Sequence, residues 1–207
     1  MHTRRSRAAL LATLVAVTTF ACARDVADRG AAAADQPPGA VVDSALPIDT
    51  LLARFRATLP DTPTTLFGGE ASPERLTRAL LAALTAQDTA TIRRLVLNRA
   101  EFAWLYYPHT RFTRPPYELG PELLWIQVNE NSEKGIVRLL RRYGGSPLRL
   151  DALRCADSTL SEGPNTLVGP CEVTFAPADS AARSLRMFGS IIQRDGLHKF
   201  VSYTNDL

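Results

Sequence analysis

The chain has 207 residues, of which 45% are hydrophobic and 22% charged, a balance that fits a water-soluble globular domain and excludes a wholly disordered or membrane-embedded chain. Its 24 Lys and Arg outnumber 21 Asp and Glu only because Arg4, Arg5 and Arg7 lie near the start; from Cys22 onward the signs balance at 21 each. The basic footprint of a nucleic-acid binder is therefore missing, and no nucleic-acid partner is expected. No closely spaced Cys and His fit a zinc site, and no phosphate-cradling glycine loop or nucleophile motif occurs, so neither metal nor cofactor is expected.

Residues 1–21 read as an export signal. Arg4, Arg5 and Arg7 precede an uncharged run from Ala8 to Phe20, which ends in the small residues Ala21, Cys22 and Ala23. At about 1.5 Å per helical residue the run is too short to cross a hydrocarbon core about 30 Å thick. Thr19-Phe20-Ala21-Cys22 resembles the lipobox of bacterial lipoproteins. That resemblance implies diacylation of the Cys22 thiol, which would become the new amino terminus and hold the protein on a membrane of the cell envelope. Ala21-Cys22-Ala23 equally matches the small-x-small site of a soluble periplasmic or secreted protein, cleaved after Ala23. Either way Cys155 and Cys171 remain as an even pair in an oxidising compartment, and a disulfide follows. Arg149 to Ala156 and Leu167 to Phe175 read as strands, and a hairpin folded about Gly163 sets the two thiols opposite each other.

Residues 22–45 are Ala-rich, carry scattered Asp and contain Pro37-Pro38-Gly39; they read as a flexible tether. A single α+β domain is expected over 46–207, with its core over about 73–207. Asp49 is a candidate N-cap for a helix from Thr50 to Leu59 that buries Leu51, Leu52 and Phe55. Ser72-Pro73 opens the next helix, with Leu76, Ala79, Leu80, Ala83 and Leu84 on one face. Asp88 caps a third, which turns Ile92, Leu95 and Val96 inward. Asn98 and Glu101 have capping-box spacing, so Arg99 to Tyr107 reads as a short helix stopped by Pro108, although the alternation of Phe102, Trp104 and Tyr106 permits a strand. Beyond a loop from His109 to Gly120, Pro121 starts a helix through Leu123, Leu124 and Ile126. Ser132 caps a second one carrying Ile136, Leu139, Leu140 and Tyr143, which Gly144-Gly145 ends. Arg138, Arg141 and Arg142 near that end complement the helix dipole.

Every later element reads as strand. Leu185 to Arg194 and Leu197 to Thr204 flank Asp195-Gly196, a two-residue hairpin signal that pairs Ile192 with Lys199, Ser190 with Val201 and Phe188 with Tyr203. Helices first and an antiparallel meander of about four strands afterwards define an α+β fold with N-terminal helices packed on a C-terminal sheet.

The helix junction Leu84-Thr85-Ala86-Gln87-Asp88-Thr89-Ala90-Thr91-Ile92 and the closing hairpin Ile192-Gln193-Arg194-Asp195-Gly196-Leu197-His198-Lys199-Phe200-Val201 resemble the nuclear transport factor two-like superfamily, which includes polyketide-cyclase-like proteins. The resemblance covers about 73–207 and implies a curved sheet wrapping the helices into a cone with an apolar pocket. Enzymes of that superfamily use a pocket carboxylate or His as base, and no position here matches their catalytic motifs. The candidate ligand or partner surface is the aromatic stretch with Trp104, Tyr106, Tyr107, His109, Phe112 and Tyr117, whose rings combine apolar area with polar handles. The same rings suit the space between helices and sheet. Asp157 and Glu162 fall in a hairpin loop, where two acids can meet a cation, although solvated turn acids are far commoner. Three functions stay open: a non-enzymatic domain that binds a small apolar ligand or another envelope protein, a pocket enzyme of isomerase or dehydratase type with His109 or a nearby carboxylate as base, and a structural accessory domain.

Overall fold

Local capping chemistry sets most of the helix starts in the computed structural model, which describes residues 46–178 and 180–207. The export signal, Cys22 and the 22–45 tether lie outside the described residues. Helix α1 (Ile48–Ala57) starts after Pro47, two residues earlier than the expected Asp49 cap; Asp49 sits in the first turn instead, where its charge complements the dipole. In α2 (Pro73–Ala86) the Ser72 hydroxyl accepts the Arg75 N–H at 3.2 Å, and in α3 (Thr89–Arg94) the Asp88 carboxylate accepts the Thr91 N–H at 3.0 Å. The capping box of Asn98 and Glu101 opens the one-turn α4 (Arg99–Glu101). The chain then widens into a π-helical turn, Phe102–Tyr106, and tightens into a 3-10 turn, Tyr107–His109, so the helical reading prevails over the strand.

Helix α5 (Pro121–Tyr143) is one continuous helix of 23 residues where two were expected. Ser132 does not cap a new helix. Its hydroxyl faces the C-terminal segment and accepts the Tyr203 N–H at 3.1 Å, a partner 71 residues away that local reading cannot anticipate.

Among the described residues seven strands follow: β1 (Leu148–Cys155), β2 (Leu160–Glu162), β3 (Asn165–Val168), β4 (Cys171–Pro177), β5 (Arg183–Leu185), β6 (Ile191–Arg194) and β7 (Leu197–Phe200). They form two antiparallel sheets, ordered β1-β4-β5 and β2-β3-β6-β7. Along the chain these are four strand paths in meander order, because β1 leads into β2, β3 into β4 and β5 into β6, each crossing from one sheet to the other. The expected strand from Leu167 to Phe175 breaks at Gly169-Pro170, where Pro supplies no ladder donor and Gly169 holds φ +133°. The expected strand from Leu185 to Arg194 breaks over 186–190. The closing hairpin keeps its expected register, with Ile192 opposite Lys199 and the Val201 N–H on the Ser190 carbonyl at 2.8 Å; β6 and β7 end before Phe188 and Tyr203. Positive φ at Asp195 and Gly196 suits its two-residue turn.

Cys155 and Cys171 form the last pair of the β1–β4 ladder, 3.9 Å apart at Cα, and are disulfide-bonded. The loop they close is more than a hairpin about Gly163, since it carries β2 and β3 into the second sheet. Replacing both cysteines by serine is expected to lower unfolding stability by about 3 kcal/mol. Urea midpoints of the variant, and of the wild type with and without reductant, check this; a reductant-insensitive wild type would contradict it.

Two apolar clusters result. Leu76, Leu80, Leu84, Leu139, Phe175, Phe188 and Phe200 join α2, α5 and the sheets, and Phe55, Phe102, Tyr107, Leu124, Ile192 and Val201 join α1, the π-turn and the start of α5. Aromatic rings occupy the space between helices and sheet: Phe188 lies 4.3 Å from Phe200 between centroids, Phe200 5.4 Å from Tyr203, and Tyr143 5.1 Å from Phe175.

Candidate functional site

The aromatic stretch divides into an inner and an outer half. Phe102, Tyr106 and Tyr107 are buried, and the Phe102 ring contacts those of Phe55, Tyr106, Tyr107 and Trp125 at 5.2 to 6.1 Å. The Tyr107 hydroxyl donates to the Leu119 carbonyl at 2.6 Å and ties down both ends of the intervening loop. Burial, with a smaller contribution from Asp49, pushes its phenol up to about 12. Outward-facing residues are different. Phe112 and Tyr117 meet edge to face at 5.2 Å beneath the Arg111 guanidinium, and the half-buried Trp104 carries the Arg56 guanidinium 3.9 Å above its ring.

Glu162 is the residue that sequence reading placed wrongly. It is only 6% exposed, because the β2–β3 hairpin lays it against the turn at 107–113. Its Oε1 accepts the Arg111 N–H at 2.9 Å and the Thr110 hydroxyl at 3.3 Å, while Oε2 has no hydrogen-bond partner among the described residues. Beside it, buried Asn165 donates Nδ2 to the Leu105 carbonyl at 2.7 Å and accepts Arg194 Nη1 on Oδ1 at 3.2 Å. Nothing local in Ser161-Glu162-Gly163-Pro164 distinguishes a buried acid from a solvated one. Asp157 is exposed, as expected of a turn acid.

A half-open cleft of about 520 Å³ lies between the aromatic turn and the β2–β3 hairpin, with Tyr106, Arg111, Phe112, Leu160, Glu162 and Leu167 in its wall. Its volume is that of a small-molecule site, and its lining combines apolar faces, an aromatic ring and fixed polar groups. Tyr106 and Phe112 therefore reach this wall together with residues not singled out in the sequence, Arg111 and Leu160 among them. His109 sits one step away on Gly163, where an added Cβ would lie 2.8 Å from Nδ1. Burial lowers the His109 pKa, and Arg194, Arg114 and Arg56 lower it further against a small opposing effect of Glu162.

A second polar cluster lies in the core. Glu101 and Lys199 are 1% and 2% exposed and meet at 2.6 Å. Glu101 also accepts the Phe67 N–H at 2.7 Å and the Asn98 N–H at 3.0 Å, and Lys199 donates to the Phe67 carbonyl at 2.9 Å. Burial pulls the Lys199 ammonium below the usual lysine range, against the attraction of Glu101. The cluster fixes the backbone at Phe67, whose own ring is 75% exposed. Its carboxylate and ammonium engage each other, which suits a clamp better than acid–base chemistry. His198 places Nδ1 3.2 Å from the Glu70 carbonyl in the loop that precedes α2.

Among the described residues no three metal-ligating side chains converge, and no helix is long and apolar enough to cross a membrane. Comparison with protein-family models, curated proteins and solved structures finds no match to this chain.

Proposed function

We propose that this chain is an exported protein of the bacterial cell envelope, anchored through a lipid on Cys22, whose α+β domain binds a small ligand or another envelope protein without catalysing a reaction. The observation that carries the binding part is the cleft between the aromatic turn and the β2–β3 hairpin, in whose wall Glu162, with a carboxylate oxygen that has no partner among the described residues, stands beside the rings of Tyr106 and Phe112. A ligand with an apolar face and a hydrogen-bond donor matches that wall. In the core, Glu101 is taken up by Lys199 and two backbone N–H groups. Export is supported by the charged and apolar blocks of residues 1–21 and by the Cys155–Cys171 disulfide, a bond that cytosolic thiol pools disfavour.

Two measurements test the two halves separately. On cell fractionation the wild type is expected with the membranes and Cys22→Ser in the soluble envelope fraction; retention of the variant on membranes would remove the lipid anchor. Native mass spectrometry of protein extracted from its own host is expected to show added mass that Phe112→Ala diminishes. A bare polypeptide mass for the wild type would remove the bound ligand.

A further inference from the structure

Glu162 is 6% exposed, and among the described residues it forms no ion pair. Its Oε1 is occupied by the Arg111 N–H at 2.9 Å and the Thr110 hydroxyl at 3.3 Å, whereas Oε2 has no partner among those residues. The Arg111 guanidinium does not answer the charge, since that group lies over the rings of Phe112 and Tyr117, 5.3 and 5.9 Å from their centroids. A carboxylate withdrawn from water without a counter-ion is destabilising. The opposite case stands in the same molecule, where the equally buried Glu101 meets Lys199 at 2.6 Å. What sets Glu162 apart is its place in the wall of the cleft of about 520 Å³, from which a ligand can supply the missing positive charge.

The geometry points to a small primary amine, held as its ammonium ion by Glu162, as the ligand of the cleft between the aromatic turn and the β2–β3 hairpin. This deepens, and rests on, the reading of that cleft as a ligand site. Only one carboxylate oxygen is left over, so the two-pronged fork of a guanidinium finds half its acceptor, while an ammonium needs no more than one oxygen from the acid. The hydroxyls of Ser158, Thr159 and Ser190 line the same cleft and supply acceptor oxygens for the remaining N–H groups. A hard metal ion takes six or more oxygen ligands, and among the described residues no three metal-ligating side chains converge. Leu160, which is 43% exposed, shares the wall with Leu167 and the Phe112 ring, so the skeleton that carries the ammonium is apolar and at least ring-sized.

The test uses the mature chain with Cys22→Ser, which carries no acyl group, and probes that share a phenyl ring and differ in head group: phenethylamine, phenethyl alcohol and hydrocinnamate. At millimolar concentration the amine is expected to shift the Leu160 and Leu167 methyl signals in NMR titrations and to bind about tenfold more tightly than the alcohol, with the carboxylate weakest. Glu162→Gln keeps an acceptor oxygen for Arg111 and Thr110 but removes the charge. It is expected to bring the amine down to the level of the alcohol and to leave the alcohol unchanged. The ranking of the probes on the unaltered Glu162 needs no variant, so it decides the matter even where Glu162→Gln folds poorly. Equal binding of amine and alcohol, or amine binding that Glu162→Gln leaves unchanged, overturns the inference while leaving the cleft a site for neutral ligands. Preferred binding of hydrocinnamate overturns it in favour of Arg111. Silence of both leucines with every probe overturns it too, and the native mass of the wild type and of Phe112→Ala then decides separately whether the cleft holds another ligand.

Discussion

Lys199→Met is expected to destabilise the protein by about 3–5 kcal/mol, because it leaves the Glu101 carboxylate charged, buried and without its counter-ion. The side-chain volume is nearly conserved, so packing loss contributes little. Glu101 would keep the Phe67 and Asn98 N–H groups, but the ammonium at 2.6 Å would be gone and the Phe67 carbonyl would lose its donor. The double variant Glu101→Leu/Lys199→Met is expected to regain much of the loss, since removing both charges also removes their desolvation cost. Denaturant melts of the two single variants and the double variant measure the coupling. A Lys199→Met variant as stable as the wild type would show that the pair is solvated in the working protein. Faster amide exchange at Phe67 is expected alongside, because Glu101 and Lys199 fix its backbone from both sides.

Gly135→Ala is expected to destabilise by about 3 kcal/mol, the upper part of the range for an overpacked site. At a solvent-facing position in a helix the same change stabilises by about 0.8–1.0 kcal/mol, so the sign of the effect is itself the test. Gly135 lies within α5, and a Cβ there would fall within 3 Å of both the carbonyl oxygen and the carbonyl carbon of Tyr203. Those are backbone atoms and cannot rotate aside. Tyr203 is fixed on every side: its hydroxyl donates to the Ile92 carbonyl at 2.6 Å, its N–H to Ser132, and its ring packs on Phe200. Asn205 adds a donation of Nδ2 to the Gly135 carbonyl at 2.9 Å. Relief therefore requires the last seven residues to lift off α5, which limited proteolysis at the C-terminus detects. Stabilisation on denaturant melting would mean that this close approach does not exist in solution.

Helix starts at Ser72, Asp88 and Asn98 were legible because a cap and the amide it binds lie three residues apart, so that chemistry is complete within one turn of chain. The hairpin at Asp195-Gly196 was legible for the same reason. Ser132 misled because a hydroxyl that caps a helix and one that receives a distant N–H read alike in sequence. The breaks at Gly169-Pro170 and over 186–190 were missed because apolar alternation continues across them, and only the passage from one sheet to the other interrupts the ladder. Within the candidate site, the aromatic stretch announced itself by composition. Glu162, Asn165 and Arg194 did not, since each is defined by what the β2–β3 hairpin docks against.

By itself the amino-acid order determined the helix-then-meander plan, the ends of several helices, the register of the closing hairpin and the pairing of Cys155 with Cys171. These rest on contacts that local geometry completes or on the elimination of other partners. Tertiary structure alone decided that Lys199 meets Glu101 across 98 residues and that Tyr203 reaches Ile92 across 111. It also buried Glu162 beside a cleft. A polar side chain carries no local mark of its distant partner, because that partner is selected by the packing of apolar faces, and the fold must close before the charges learn what they oppose.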